Sequence, residues 1–241
     1  MGISVYFSSM GKGIDCDFKR QDAYVYAVTD KQAKNIEKEW DAYQKLGIKG
    51  DLKDTIPFNL QIKNTIKMAD QAQYHPLKFL RGLLNEVIKQ GCKVFQNTTA
   101  VDLEEEGIGP KFITKDGYKI DCKHVIIATN YPFYDKPGHY SARMYAQRSY
   151  IIGIKTDQEY PDGMYISADT PTRSLRHIPL NEGDLFIIVG GIHKTGQDIN
   201  TLKYYNELQD YAGKLFGIRD YTYRWSAQDY ITFDRVPYMN Q

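Results

Sequence analysis

The feature that most constrains this chain is the contrast between two kinds of strand-sized segment. Val125-Ile126-Ile127-Ala128 is apolar at every position, as in a parallel strand covered on both faces, whereas Ala23-Tyr24-Val25-Tyr26 and Ser149-Tyr150-Ile151-Ile152 carry amphipathic tyrosines suited to a sheet with one face partly wet. Both kinds in one chain predict an α/β layer set within a larger β-rich layer, as two interleaved domains. Neither Val125–Ala128 nor Leu185–Val189 approaches the ~18 apolar residues of a bilayer span.

Three segments read as helices with punctuation at both ends. One follows Thr29, with Gln32 placed for a capping box, turns Ala33, Ile36, Trp40 and Tyr43 to one side and stops at Gly47. The second starts at Pro76, carries Leu77, Leu80, Leu83, Leu84, Val87 and Ile88 and ends at Gly91. The third runs from about Thr201, with Leu202, Tyr205, Leu208, Ala212 and Leu215 inward, to Gly217. Strands are expected at 23–28, 62–68, 93–103, 111–114, 118–120, 124–129, 149–155, 164–167, 184–190 and 221–225. Asp116-Gly117 predicts a hairpin with a type I′ turn, which needs positive φ at both residues.

Net charge bears on partners. With 31 Lys+Arg against 30 Asp+Glu the formal charge is +1, so no global field recruits nucleic acid or an acidic membrane. The clusters Arg143, Tyr145, Arg148, Tyr150 and Arg219, Tyr221, Tyr223, Arg224, Trp225 could stack bases, but their alternation is that of sheet packing. Three cysteines without a C-x-x-C pair, and no signal-peptide pattern at the start, point to a reducing, cytoplasmic setting.

Familiar chemical motifs are missing. Gly11-Lys12-Gly13 and Gly107-Ile108-Gly109 lack the third glycine of a dinucleotide turn and open no helix. In Gly190-Gly191-Ile192-His193-Lys194-Thr195-Gly196 the order of Lys, Thr and Gly is wrong for a P-loop. The five histidines show no metal-ligand spacing, so no metal is assigned, and there is no Gly-x-Ser-x-Gly elbow. Arg173 and Arg176 are the best candidates for holding a carboxylate, because a guanidinium fork matches it bidentately; the competing reading is a solvated strand edge.

Several stretches resemble one family, the FAD-dependent oxidoreductases of the D-amino-acid oxidase and glycine oxidase type, nearest the bacterial subgroup that often carries a C-terminal Rieske iron-sulfur domain. They are residues 14–24, Gln71-Ala72-Gln73-Tyr74-His75-Pro76-Leu77-Lys78, His124 to Pro132, Thr172 to Arg176, and Arg224 to Tyr230 leading to Thr232 to Pro237. The resemblance implies an α/β (mixed α+β) fold. Its β-rich substrate domain, a large mixed sheet with flanking helices, is interleaved with a partial FAD-binding α/β layer. The implied divisions are residues 1–72 and 134–226 for the substrate domain, 73–133 for the partial FAD layer and 227–241 for the start of a C-terminal FAD-binding segment.

On the same resemblance Val101, Ala128, Thr129 and Asn130 lie beside FAD, and the sheet holding Tyr24, Tyr26, Tyr150 and Tyr165 roofs the flavin. Asp229 stands where amino-acid oxidases often present the arginine for the substrate carboxylate, and would repel that anion. No group is assigned to catalysis itself. The family's chemistry is hydride transfer from a carbon beside an amine to flavin. The family's glycine-rich turn and ribose-binding acid, and its closing glycine-rich segment, have no counterpart in these residues. The expectation is therefore an inactive fragment that does not bind FAD tightly and forms a homodimer through exposed sheet edges. The alternative expectation is a non-catalytic module in which Arg173 and Arg176 bind a small anion.

Overall fold

A computed structural model describes residues 13–105, 107, 109–135 and 138–238. The chain forms strands β1 (Lys19–Ala27), β2 (Gly50–Lys53), β3 (Asn64–Gln73), β4 (Ala100–Glu104), β5 (Lys111–Thr114), β6 (Lys119–Asp121), β7 (Met144–Thr156), β8 (Met164–Ser167), β9 (Ser174–Pro179), β10 (Asp184–Lys194) and β11 (Tyr223–Thr232). The helices are α1 (Asp30–Leu46), α2 (Pro76–Lys89) and α3 (Leu202–Phe216). An eight-stranded sheet has the order β11-β7-β10-β9-β8-β1-β3-β2, and a three-stranded one the order β4-β5-β6. The larger sheet is mixed: β1 runs parallel to β8 and antiparallel to β3. The fold is thus the expected mixed α/β class.

Backbone contacts divide the chain into two compact units, one of Met1–Gln90 and Arg148–Ala227, the other of Gly91–Gln147 and Gln228–Gln241. In the first unit alternation along each strand sorts side chains to two faces. Tyr26, Tyr150, Ile152, Tyr165, Leu175, Phe186 and Ile188 pack with Leu208, Ala212 and Leu215 of α3. On the other face Ala27 and Ile66 pack with Ala33, Ile36 and Tyr43 of α1.

All three helices form where the caps place them. The Thr29 hydroxyl accepts from Gln32 N at 3.4 Å, and Gly47 closes α1 with φ 65°. The expected capping box is only half made, because the Gln32 side chain instead accepts from Asn35. Its place is taken by Asp169, whose carboxylate accepts from Val28 N, Thr29 N and the Thr29 hydroxyl. The apolar stripe of α2 has no cover among the described residues: Leu77, Leu80, Leu84, Val87 and Ile88 are all exposed.

Three local expectations are corrected. Val125–Ala128 is not a strand; the backbone from 122 to 129 joins no ladder, and Ile126 is 90% exposed. A strand apolar on both faces is stable only between two strands and two covering layers, and the described residues supply neither. The expected strand 93–103 is ordered as a ladder only from Ala100 onward. The 116–117 hairpin forms between β5 and β6, but positive φ occurs at Gly117 alone, with Gly117 N donating to Thr114 O at 2.9 Å. One left-handed residue after an ordinary turn closes the longer loop without the type I′ geometry. No described helix is long and apolar enough to cross a membrane.

Candidate functional site

Of the four tyrosines on the sheet expected to roof the flavin, three are core residues. Tyr26, Tyr150 and Tyr165 are buried beneath α3, and the Tyr26 hydroxyl lies 2.6 Å from that of Tyr211. Burial, together with Tyr211 beside it, pushes the Tyr26 phenol far above its ordinary range, so it stays protonated. Tyr150 reaches His193 Nε2 at 3.0 Å, on a ring stack completed by Tyr204. Tyr26, Tyr150 and Tyr165 are thus part of the packing between the sheet and α3.

Arg173 belongs to the face covered by α3. Its guanidinium is buried, donates to Glu207 Oε2 of α3 at 3.2 Å and to the Thr172 carbonyl at 3.1 Å, and lies over the Tyr211 ring. Gly190 makes room for it, since a Cβ there would lie 2.7 Å from Arg173 Nη1. Arg176, three residues along, falls on the opposite face and is exposed. The two arginines therefore do not make one site.

What surrounds Arg176 is suited to a small ligand. On its face Ile166 of β8 is opposite Ser174 of β9, Ser174 is opposite Val189 of β10, and Ile187 is opposite Arg176 itself. Ile166 is 42% exposed; Ser174, Ile187 and Val189 are half-buried. The guanidinium donates to Met164 Sδ at 3.0 Å and, among the described residues, has no carboxylate in ion-pair reach. A weakly hydrated cation on an apolar sheet face, with most of its donors uncommitted, can hold a carboxylate through two parallel hydrogen bonds.

The remaining sequence candidates lie in the second unit. Val101 is on β4, Ala128, Thr129 and Asn130 are exposed and outside any ladder, and Asp229 is exposed on β11. A dinucleotide cradle needs a glycine-rich turn running from a strand into a helix N-terminus. Among the described residues α1, α2 and α3 follow Thr29, His75 and Thr201, none of them on such a turn. The described residues therefore do not by themselves fit FAD. They also contain no cluster of His, Cys, Asp and Glu able to hold a metal ion.

A sequence profile described as "FAD dependent oxidoreductase" (DAO) matches residues 7–241. The chain belongs to this family. A Bacillus subtilis (strain 168) protein named "Putative Rieske 2Fe-2S iron-sulfur protein YhfW" is 39% identical over 226 residues, which are 94% of this chain and 44% of that protein. The chain thus spans under half the length of that relative.

Solved structures share the fold. Glycine oxidase from Geobacillus kaustophilus superposes with a TM-score of 0.77 at 13% identity, over 99% of this chain and 66% of that one. L-proline dehydrogenase from P. horikoshii gives 0.77 at 15%, over 100% and 68%. NikD, an amino acid oxidase of nikkomycin biosynthesis, gives 0.79 at 11%, over 97% and 67%. The mixed sheet and helices of this DAO-family chain are therefore those of flavoprotein oxidoreductases.

Proposed function

We propose that this chain is the substrate-side portion of an FAD-dependent oxidoreductase that oxidises a small amine or amino acid by hydride transfer to flavin, with Arg176 as the anchor for a substrate carboxylate. The observation that carries this is the exposed Arg176 guanidinium, which donates to Met164 Sδ and has no carboxylate partner among the described residues. Glycine oxidase, L-proline dehydrogenase and NikD, which share the fold, support the substrate class. The alternative, an anion-binding module using both arginines, loses support because Arg173 is committed to Glu207 on the far face.

The 241 residues alone hold FAD weakly and turn over no substrate, because the nucleotide cradle is not built by the described residues. We further propose a cytoplasmic setting, in keeping with free thiols at Cys92 and Cys122. The experiment has two arms. Adding FAD to the purified chain should give neither saturable quenching of flavin fluorescence nor a shift in melting temperature at micromolar FAD. Joined to the segments of the Bacillus subtilis relative that this chain does not match, the chain should show flavin reduction by a small amine or amino acid under anaerobic conditions. Tight FAD binding by the chain alone, or no flavin reduction by any small amine in the extended form, would overturn the proposal.

A further inference from the structure

Arg176 stands beside a strip of aliphatic side chains. The pairing of β10 with β9 is unbroken from Asp184 to Val189, so alternation sorts these residues without ambiguity. Leu175, Phe186 and Ile188 turn into the core under α3, which leaves Leu185, Ile187 and Val189 on the other face with Ser174 and Arg176. Ile187 is directly opposite Arg176; Leu185 and Val189 are its diagonal neighbours, with Cα atoms about 7–8 Å away. All three are half-buried, so each still has apolar surface in water.

The strip continues across β7. A Cβ on Gly153 would lie 3.2 Å from Leu185 Cδ1 and 3.4 Å from Tyr223 Cβ, which puts Leu185 and Tyr223 on the same face, one on either side of the glycine. Tyr223 is 47% exposed. Lys155 extends over its ring at 6.0 Å, at the end of the strip away from Arg176. Among the positions of β9 and β10 that face this way, Arg176 carries the sole charge and Ser174 the sole other polar side chain.

We propose that the substrate held by Arg176 is an α-amino acid with a large apolar side chain, which rests on Ile187, Leu185 and Val189 while the guanidinium takes the carboxylate. This rests on the reading of Arg176 given above and adds to it which side chain the substrate carries. A cation beside half-exposed aliphatic groups is complementary to a ligand with an anionic end and an apolar body. A polar side chain would give up water on this strip and find no hydrogen-bond partner among Leu185, Ile187 and Val189. Glycine would leave the strip uncovered.

The test is an NMR titration of the 15N-labelled chain with glycine, and with leucine and asparagine as both enantiomers; asparagine has the branched outline of leucine with polar atoms at the tip. One enantiomer of leucine should bind about tenfold or more tighter than glycine or asparagine, since each fully buried methylene is worth about fourfold and leucine adds four carbons that the strip covers in part. Ile187→Thr should weaken leucine about fourfold or more and leave glycine unchanged. Val189→Thr, which keeps the outline and the β-branch, should do the same to a smaller degree and decides the matter if Ile187→Thr does not fold. Arg176→Met should weaken all probes. Equal affinities for leucine, asparagine and glycine, or a leucine preference untouched by the threonine variants, would overturn this inference and leave Arg176 in place. Failure of the wild-type chain to bind any probe, including the case in which the strip signals move on dilution because a second copy covers them, or unchanged binding by Arg176→Met, would overturn the anchor and the inference together.

Discussion

The Arg173 guanidinium donates to the Glu207 carboxylate across 3.2 Å, tying the start of β9 to the middle of α3. Arg173 is buried while Glu207 keeps about half its side chain in water, so the pair is intermediate between an exposed ion pair and a buried one. Glu207→Ala should destabilise the chain by about 1–2 kcal/mol in urea denaturation, because it leaves a buried cation with the Thr172 carbonyl and the Tyr211 ring but no counter-ion. The double change Arg173→Met, Glu207→Leu should recover much of that loss. A double mutant worse than Glu207→Ala would show that the pair itself is strongly stabilising.

Stability should depend on pH through His177. Burial holds its imidazole below the ordinary value of 6.5, its Nδ1 has no partner and its ring stacks on Tyr160. The unfolded chain therefore takes up this proton first as pH falls, so the contribution is complete above about 6.5 and is lost on descending from there towards the lower folded-state pKa. Asp135, Asp162 and Asp198, each held below the ordinary carboxylate value by hydrogen bonds, act only at more acid pH. The melting temperature of His177→Phe should fall less between pH 7 and 5 than that of the wild type. Parallel curves would assign the dependence to other groups.

Two leucines on different helices should respond very differently to truncation. Leu208 of α3 is fully buried, so Leu208→Ala should cost about 2–5 kcal/mol. Leu84 of α2 is exposed, and Leu84→Ala should stay within about 0.5 kcal/mol. Denaturant midpoints of the two variants decide this, and similar losses would mean that the α2 stripe is covered in solution.

Exposed sheet edges and the bare apolar segment near Ile126 motivate the proposal of self-association. Size-exclusion chromatography should show a concentration-dependent species larger than 27.8 kDa. Ile126→Lys should move it towards the monomer. A clean wild-type monomer at all concentrations would rule the proposal out.

The sequence made the helices legible because their ends are chemical: Thr29 and Gly47, Pro76, and Gly217 act locally and need no distant partner. Val125–Ala128 read wrongly because a doubly buried strand is defined by neighbours, which no local pattern guarantees. β2 went unseen because Gly50-Asp51-Leu52-Lys53 has no apolar pattern of its own and is a strand only through its pairing with β3. Arg173 and Arg176 were legible as residues, but not as belonging to opposite faces until β9 was in register with β8 and β10.

The most direct test of the account is anaerobic flavin reduction in the extended, FAD-loaded form, comparing wild type with Arg176→Met over a range of amino-acid concentrations. An anchor that binds the carboxylate equally in ground and transition states predicts a half-saturating concentration about 10- to 100-fold higher, with the limiting rate retained. Indistinguishable concentration curves for the two proteins would contradict it.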